Sequence, residues 1–194
     1  MRGKKNGDIR LCTDLRYVNS GTIPDAFPAQ NIEELVMKIS GSNWISTLDN
    51  SAGYWQIPIE PGHEYRTAFV TNRGLFEWVV MPFGLRTASG SYQRVMNDLL
   101  APHKAYSDAY IDDTAVFSMS WINHLLHLEN VLKEFRNVNM TLRLSKCKFA
   151  KQKVDYVGHE IGSGGRSPLK NKVEAIKQIA EPTTKSCSNH SSVE

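Results

Sequence analysis

Ala109-Tyr110-Ile111-Asp112-Asp113-Thr114-Ala115-Val116-Phe117-Ser118 is the stretch on which the fold turns. Two short apolar arms, Ala109–Ile111 and Thr114–Phe117, flank two adjacent carboxylates. Neighbours in a strand point to opposite faces, but at a tight hairpin bend both can reach one site. Asp is also a common turn residue, so the pair by itself is better read as an ordinary turn. Asp49 shifts the balance, because it ends a second apolar strand pattern, Trp44–Leu48. If the two strand ends are neighbours in one sheet, three carboxylates converge. Three like charges held together need a cation. Hard oxygen ligands that leave room for water and phosphate suit Mg²⁺. Two such ions would serve nucleotidyl transfer.

Outward from this stretch the chain mixes both periodicities. On the N-terminal side, Asn31-Ile32-Glu33-Glu34 resembles a capping box, with Leu35, Val36 and Ile39 at helical spacing behind it. Ile9–Leu15 reads as extended. Ile57–Ile59, Tyr65–Val70 and Leu75–Met81 read as strands of an antiparallel meander, with turns at Pro61-Gly62 and Asn72-Arg73-Gly74. Tyr92, Val95, Met96, Leu99 and Leu100 share one helix face, and Pro102 lies just beyond its end. Past the carboxylates, Trp121, Leu125, Leu128, Leu132, Phe135 and Val138 recur at helical spacing after a capping Ser120. Thr141–Phe149 and Val154–Ile161 predict a hairpin, and Lys170–Ile179 a further helix ended by Pro182. The order predicts an α+β fold: one mainly antiparallel sheet covered by helices on one face. Neither a GxGxxG nor a Walker loop is present, so a Rossmann or P-loop reading has no support.

Composition narrows the class less. The 194 residues carry a formal net charge of +3, which permits nucleic-acid binding without requiring it. Three widely spaced cysteines, Cys12, Cys147 and Cys187, give neither a disulfide framework nor a zinc pattern. No apolar run approaches the roughly 20 residues that span a bilayer, and no apolar segment follows the charged Met1–Lys5. These features predict an intracellular protein with no membrane partner.

The segment around Asp112 resembles the Tyr-x-Asp-Asp signature of reverse transcriptases, and other blocks resemble the same family in the same order. Leu48–Ile57 is similar to its first carboxylate motif. Val80–Leu85 followed by Ser91–Asn97 resembles its template- and nucleotide-contacting block. Lys4–Asn19 resembles its fingers. Leu144–Phe149 and Tyr156–Ile161 resemble the segment leading into its primer grip. The wording is nearest to LTR retrotransposons of the gypsy type, over about Lys4 to Ile179.

The resemblance implies a polymerase palm with an antiparallel sheet packed on helices from Ser91 to Leu100 and Ser120 to Val138, plus partial fingers. It implies fingers over about 1–44 and 56–90, palm over about 45–55 and 91–165, and the start of a thumb over about 166–185. Residues 186–194 resemble nothing in the family and are expected to form a loose tail. Relative to the family pattern, N-terminal fingers strands, the rest of the thumb, the connection and RNase H are expected to be missing.

The implied activity is RNA-directed DNA polymerisation: deoxynucleotides (dNTPs) added to a primer 3′ end on an RNA or DNA template. Asp49, Asp112 and Asp113 would hold two Mg²⁺ (Mn²⁺ being possible), with the backbone carbonyl of Asn50 as a further ligand. Tyr54 would block a 2′-hydroxyl. Arg10 and Lys4 or Lys5 would hold the triphosphate, and Gln56, Phe83 and Gly84 would line the nucleotide pocket. Tyr110, Arg94, Gly158 and His159 would meet template or primer, with Lys146 a further phosphate contact. Ala52 stands where the family usually has Ser, and Thr87-Ala88-Ser89 where it usually has Asn-Ala-Pro.

Two other classes compete. One is an inert or domesticated remnant that binds nucleic acid or protein. The other is a metal-dependent nuclease using the same carboxylates, although no candidate general-base His adjoins Asp112, and His124 and His127 fall on the following helix.

Overall fold

A computed structural model describes residues 2–3, 9–10, 12–25, 27–28 and 30–168. Short β1 (Arg2–Gly3) pairs with β2 (Ile9–Arg10). Then come α1 (Arg16–Gly21), α2 (Ile32–Ile39), β3 (Trp44–Asp49), β4 (Phe69–Thr71) and β5 (Gly74–Phe76). The second half holds α3 (Ala88–Leu100), β6 (Ser107–Tyr110), β7 (Asp113–Ser118), α4 (Trp121–Asn137), β8 (Lys148–Lys151), β9 (Lys153–Tyr156), β10 (His159–Gly162) and β11 (Gly165–Pro168).

Four strands in the order β6-β7-β3-β8 form the central sheet, antiparallel throughout. β3 buries Leu48 on one face and Ile45 on the other, because both faces of the sheet are covered. Leu48, Ala109 and Val116 pack on Tyr92, Met96 and Leu100 of α3 and on Val131 and Phe135 of α4. On the opposite face, Ile45, Ala115 and Phe117 meet Leu35, Val36 and Ile39 of α2, and Val154, Tyr156 and Ile161 of β9–β10. The expected single layer of helices on one face is therefore corrected. α2 and a hairpin supply the second cover, since β7 is buried from Thr114 through Ser118 on both its faces.

Local capping matches the sequence reading. Asn31 Oδ1 accepts from the backbone N–H of Glu33 at 2.9 Å, and Ser120 Oγ accepts from that of Asn123 at 3.3 Å. Each such cap contributes about 1 kcal/mol. Other expectations fail for identifiable reasons. The meander shrinks to the β4–β5 hairpin, because Glu64–Thr67 closes into a 3-10 turn, held where Thr67 Oγ1 donates to Glu64 O at 2.7 Å. Ile57–Ile59 contributes only the isolated bridge Pro58↔Val80. The hairpin expected between 141–149 and 154–161 does not form. β8 joins β3 instead, and 154–161 folds on itself as β9–β10 around Val157 and Gly158, both with positive φ. The helix expected at 170–179 and the tail at 186–194 lie outside the described residues.

Candidate active site

The carboxylates gather where β3 and β7 end together. Asp49 is the last residue of β3 and Asp113 the first of β7, and the register sets them directly opposite each other. Directly opposed residues share a face, with Cβ atoms about 4.5–5.5 Å apart. Asp112 sits in the two-residue turn Ile111-Asp112 between the paired Tyr110 and Asp113. Its carbonyl accepts from the N–H of Asn50 at 3.3 Å, which ties the turn to the residue after Asp49.

The turn is strained. Ile111 has φ 54°, the left-handed region, and Asp112 does not. A positive φ at the first position only is the signature of a II′ hairpin, where Gly is preferred. A β-branched residue there costs about 1–3 kcal/mol and persists only when its surroundings enforce it. Next to the turn, Gly53 leaves room: a Cβ on it would lie 3.6 Å from Asp112 Cβ.

Electrostatics agree with the geometry. Packing at the strand end pushes the Asp113 carboxyl above its ordinary range, and the charges of Asp112 and Asp49 add to the shift. Asp49 has a counter-charge, Lys146 Nζ at 3.1 Å from Oδ2. Arg143 N–H donates to Asp49 O at 2.9 Å, and the Asp49 N–H reaches Cys147 Sγ at 3.4 Å. Asp49, Asp113, Lys146, Cys147, Asp155 and Tyr156 line a groove of about 390 Å³ between the sheet and the β9–β10 hairpin. Tyr156, buried, donates to Asp113 O at 2.8 Å and so fixes the start of β7.

As a donor set, three carboxylates with a single ammonium beside them suit a hard cation. Asn50 Oδ1, buried beside Asp49, has no hydrogen-bond partner among the described residues. The side chains do not yet close on a common point: among the described residues no three His, Cys, Asp or Glu side chains surround one. Lys146 Nζ holds Asp49 Oδ2 in an ion pair at 3.1 Å.

The remaining candidates divide. Tyr54 stands in the 3-10 turn Gly53–Gln56 with its ring between Phe83 (centroids 5.3 Å) and Tyr92 (5.5 Å), and its hydroxyl 2.8 Å from Ser89 Oγ. Gly84 has φ 103°, a conformation that L side chains rarely adopt, and its carbonyl accepts from Asn19 Nδ2 at 2.8 Å. Gln56 differs from expectation. Both ends of its amide are engaged: Nε2 donates to Ser51 O at 2.6 Å and Thr141 O at 3.0 Å, and Oε1 accepts from Thr141 N–H at 2.6 Å. It acts as a clasp between two segments. Arg94, expected to meet template or primer, instead makes two 2.9 Å bonds to Asp25 and lies over the Phe27 ring. Tyr110 ends β6 beside the turn. Gly158 (φ 80°) and His159 stand at the β9–β10 bend, His159 Nδ1 donating to Val157 O at 3.2 Å. The backbone of Arg10 lies in β2; its side chain, Lys4 and Lys5 lie outside the described residues.

Sequence reasoning missed two supports. Asn50 Nδ2 donates to Tyr92 Oη at 2.7 Å inside the core. Gln93, a buried amide on α3, reaches the strained turn. A polar residue next to the apolar stripe Tyr92, Met96, Leu100 was the signal available for it.

Comparison with known proteins shows the family. Residues 3–161 match the family model described as reverse transcriptase (RNA-dependent DNA polymerase). The chain belongs to the reverse transcriptase family. It is 35% identical over 175 residues to the retrovirus-related Pol polyprotein from transposon 297 of Drosophila melanogaster, covering 90% of this chain and 16% of that protein. It is 32% identical over 180 residues to the transposon Tf2-3 polyprotein of Schizosaccharomyces pombe, covering 92% of this chain and 14% of that one. The chain thus spans about a seventh of the length of these retrotransposon relatives. Among solved structures, the fold resembles that of a foamy viral protease–reverse transcriptase in complex with double-stranded DNA. There the TM-score is 0.86 at 24% identity, covering 93% of this chain and 32% of that one. It also resembles the same kind of protein in complex with an RNA/DNA hybrid, with a TM-score of 0.78. The fold is therefore the α+β palm-and-fingers architecture of reverse transcriptases. No helix among the described residues is long and apolar enough to cross a membrane.

Proposed function

We propose that this reverse transcriptase chain carries the catalytic centre of an RNA-directed DNA polymerase of the gypsy type, adding deoxynucleotides to a primer 3′ end on an RNA or DNA template. The observation that carries the reading is the β3–β7 register, which sets Asp49 against Asp113 beside the turn bearing Asp112.

Asp49, Asp112 and Asp113, with the Asn50 carbonyl, are the residues that would hold divalent magnesium, or manganese in its place. When bound, such ions supply Lewis-acid activation of the primer hydroxyl and charge neutralisation of the leaving pyrophosphate. The protein's own share is positioning. The carboxylates fix where the reacting oxygens sit, and a rigid sheet end keeps that geometry through the step. Tyr54, braced between Phe83 and Tyr92, offers a flat wall where the sugar of an incoming dNTP would rest. Gly84, without a side chain, lets backbone approach that pocket. Lys4 or Lys5 and Arg10 are proposed for the triphosphate, and Tyr110, Gly158 and His159 for the template-primer. In this reading residues 1–44 and 56–90 serve as fingers, 45–55 and 91–165 as palm, and 166–185 as the start of a thumb.

Primer extension tests the proposal. Purified protein with primed poly(rA)/oligo(dT), dTTP and Mg²⁺ is expected to extend the primer, and an Asp112→Asn/Asp113→Asn variant is expected not to. A folded wild-type protein that extends nothing on this template overturns the assignment of activity.

A further inference from the structure

Gln93 stands out because it spends a buried amide on two backbone groups of another element. Its Oε1 accepts from the N–H of Ile111 at 2.7 Å, and its Nε2 donates to Ala109 O at 2.9 Å. The same Nε2 lies 3.0 Å from Asn97 Oδ1 and 3.2 Å from Gln30 Oε1, which hold the amide in this orientation.

β6 is the edge of the central sheet and, among the described residues, pairs only with β7. An edge strand leaves a row of backbone N–H and C=O groups without partners. In a parallel ladder, one residue of the neighbouring strand bonds the C=O and N–H of two residues spaced two apart. The Gln93 amide does the same to residues 109 and 111. It replaces one residue of a missing fifth strand at the point where β6 enters the turn.

That point is Ile111, whose φ of 54° is the unfavourable feature of the turn. The N–H held by Gln93 belongs to this residue, and Asp112 follows it. We infer that Gln93 is a positioning residue for the metal-binding carboxylates: it enforces the left-handed Ile111 and thereby fixes Asp112 against Asp49 and Asp113. The inference rests on the proposed metal-binding role of these carboxylates, and on the polymerase reading for its activity readout. Outer groups that orient metal ligands typically change affinity or activity by about 10- to 100-fold when removed.

The test is a double-mutant set read by metal binding and by turnover. Gln93→Met keeps the length of the side chain and removes both bonds. Ile111→Gly removes the penalty for positive φ, so the turn no longer needs the clamp. Mn²⁺ is the probe, titrated into each folded protein and followed by the loss of the free-ion EPR signal. Primer extension gives kcat and KM for dTTP in parallel.

Gln93→Met is expected to weaken Mn²⁺ binding about 10- to 100-fold and to lower kcat while KM moves little. Adding Ile111→Gly is expected to restore most of the Mn²⁺ affinity. A merely structural role in the core would not be rescued by a glycine in the turn. Unchanged Mn²⁺ affinity in Gln93→Met overturns the inference, and so does a loss that Ile111→Gly leaves in place. Should Gln93→Met fail to fold alone, the Gln93→Met/Ile111→Gly protein is compared with Ile111→Gly: equal Mn²⁺ affinity supports the inference and a tenfold gap overturns it. A wild type that binds Mn²⁺ through these residues but extends no primer overturns the polymerase reading alone.

Discussion

Asp49 and Asp113 face each other across the last rung of the β3–β7 ladder. Two carboxylates on one face of one rung repel, and the sheet keeps them there because the five rungs behind them, Trp44↔Ser118 to Leu48↔Thr114, leave no other register. A slip of one residue would turn Ile45 and Phe117 out of one core and Leu48 and Val116 out of the other.

The first prediction concerns that repulsion. Asp113→Asn removes a charge from a place where packing and two neighbouring carboxylates disfavour it. The variant is expected to melt at a higher temperature than wild type at neutral pH in metal-free buffer, and to lose primer extension. A lower melting temperature would mean that Asp113 stabilises the fold.

Tyr54 and Ser89 share one hydrogen bond at 2.8 Å. Ser89→Ala and Tyr54→Phe each delete it. A bond of this kind is worth about 0.5–1.5 kcal/mol net, which corresponds to a change of roughly 2- to 10-fold. Each variant is expected to raise KM for dTTP within that range, and the double variant no further. Additive losses in steady-state kinetics would show that the two groups act separately.

Asp108, 2% exposed, is held by Gln30 Nε2 at 2.8 Å, Lys38 Nζ at 2.8 Å and Lys104 Nζ at 2.7 Å. Burial alone would raise its carboxyl, but these three partners together bring it below its ordinary range. A depressed folded-state value means stability that is present above the unfolded value near 3.8 and lost as pH falls through the folded one. Asp108→Ala is expected to cost about 1–3 kcal/mol in urea denaturation at neutral pH. The cost stays below that of a fully buried broken pair, because Lys38 and Lys104 are 33% and 46% exposed and can turn to water.

A buried chain of Ser and His lies between the sheet and α4. His124 Nε2 is 2.8 Å from Ser46 Oγ, and Ser118 Oγ is 3.1 Å from His124 Nδ1 and 2.9 Å from His127 Nδ1. His127 stacks on Tyr106, whose hydroxyl lies 2.6 Å from His103 Nδ1, with Glu134 beyond it. Burial lowers both His124 and His127, and each stays neutral in the fold below the unfolded value of 6.5. The unfolded chain therefore binds more protons in that window. Stability is full above pH 6.5 and falls as pH drops below it. Urea midpoints are expected to fall between about pH 7 and pH 5 by the proton linkage of these two groups, and His124→Gln to flatten that slope. A slope unchanged in His124→Gln would assign the acid sensitivity to other groups.

Much of this was legible in the sequence. The motif Ala109–Ser118 and the block around Asp49 resemble those of a reverse transcriptase palm, and the capped helices α2 and α4 were legible separately, because local periodicity and capping residues encode them directly. What sequence could not supply was pairing. It paired 141–149 with 154–161, whereas β8 adds to β3 and β9 turns back on β10. Apolar alternation marks a strand without naming its neighbour, and the positive φ at Val157, beside Gly158, appears only once the turn is formed. The partners of Gln56 and Gln93 were equally hidden, since an amide is equally at home in a nucleotide pocket or clasping a backbone. The sequence by itself carried the resemblance to the family, marked the three carboxylates as candidates and located the helices that back them. Only the tertiary structure decided that both faces of the sheet are covered, that Lys146 neutralises Asp49, and that a side chain from α3 holds the strained turn. Each of those depends on groups far apart in the chain, whose contact no local pattern records.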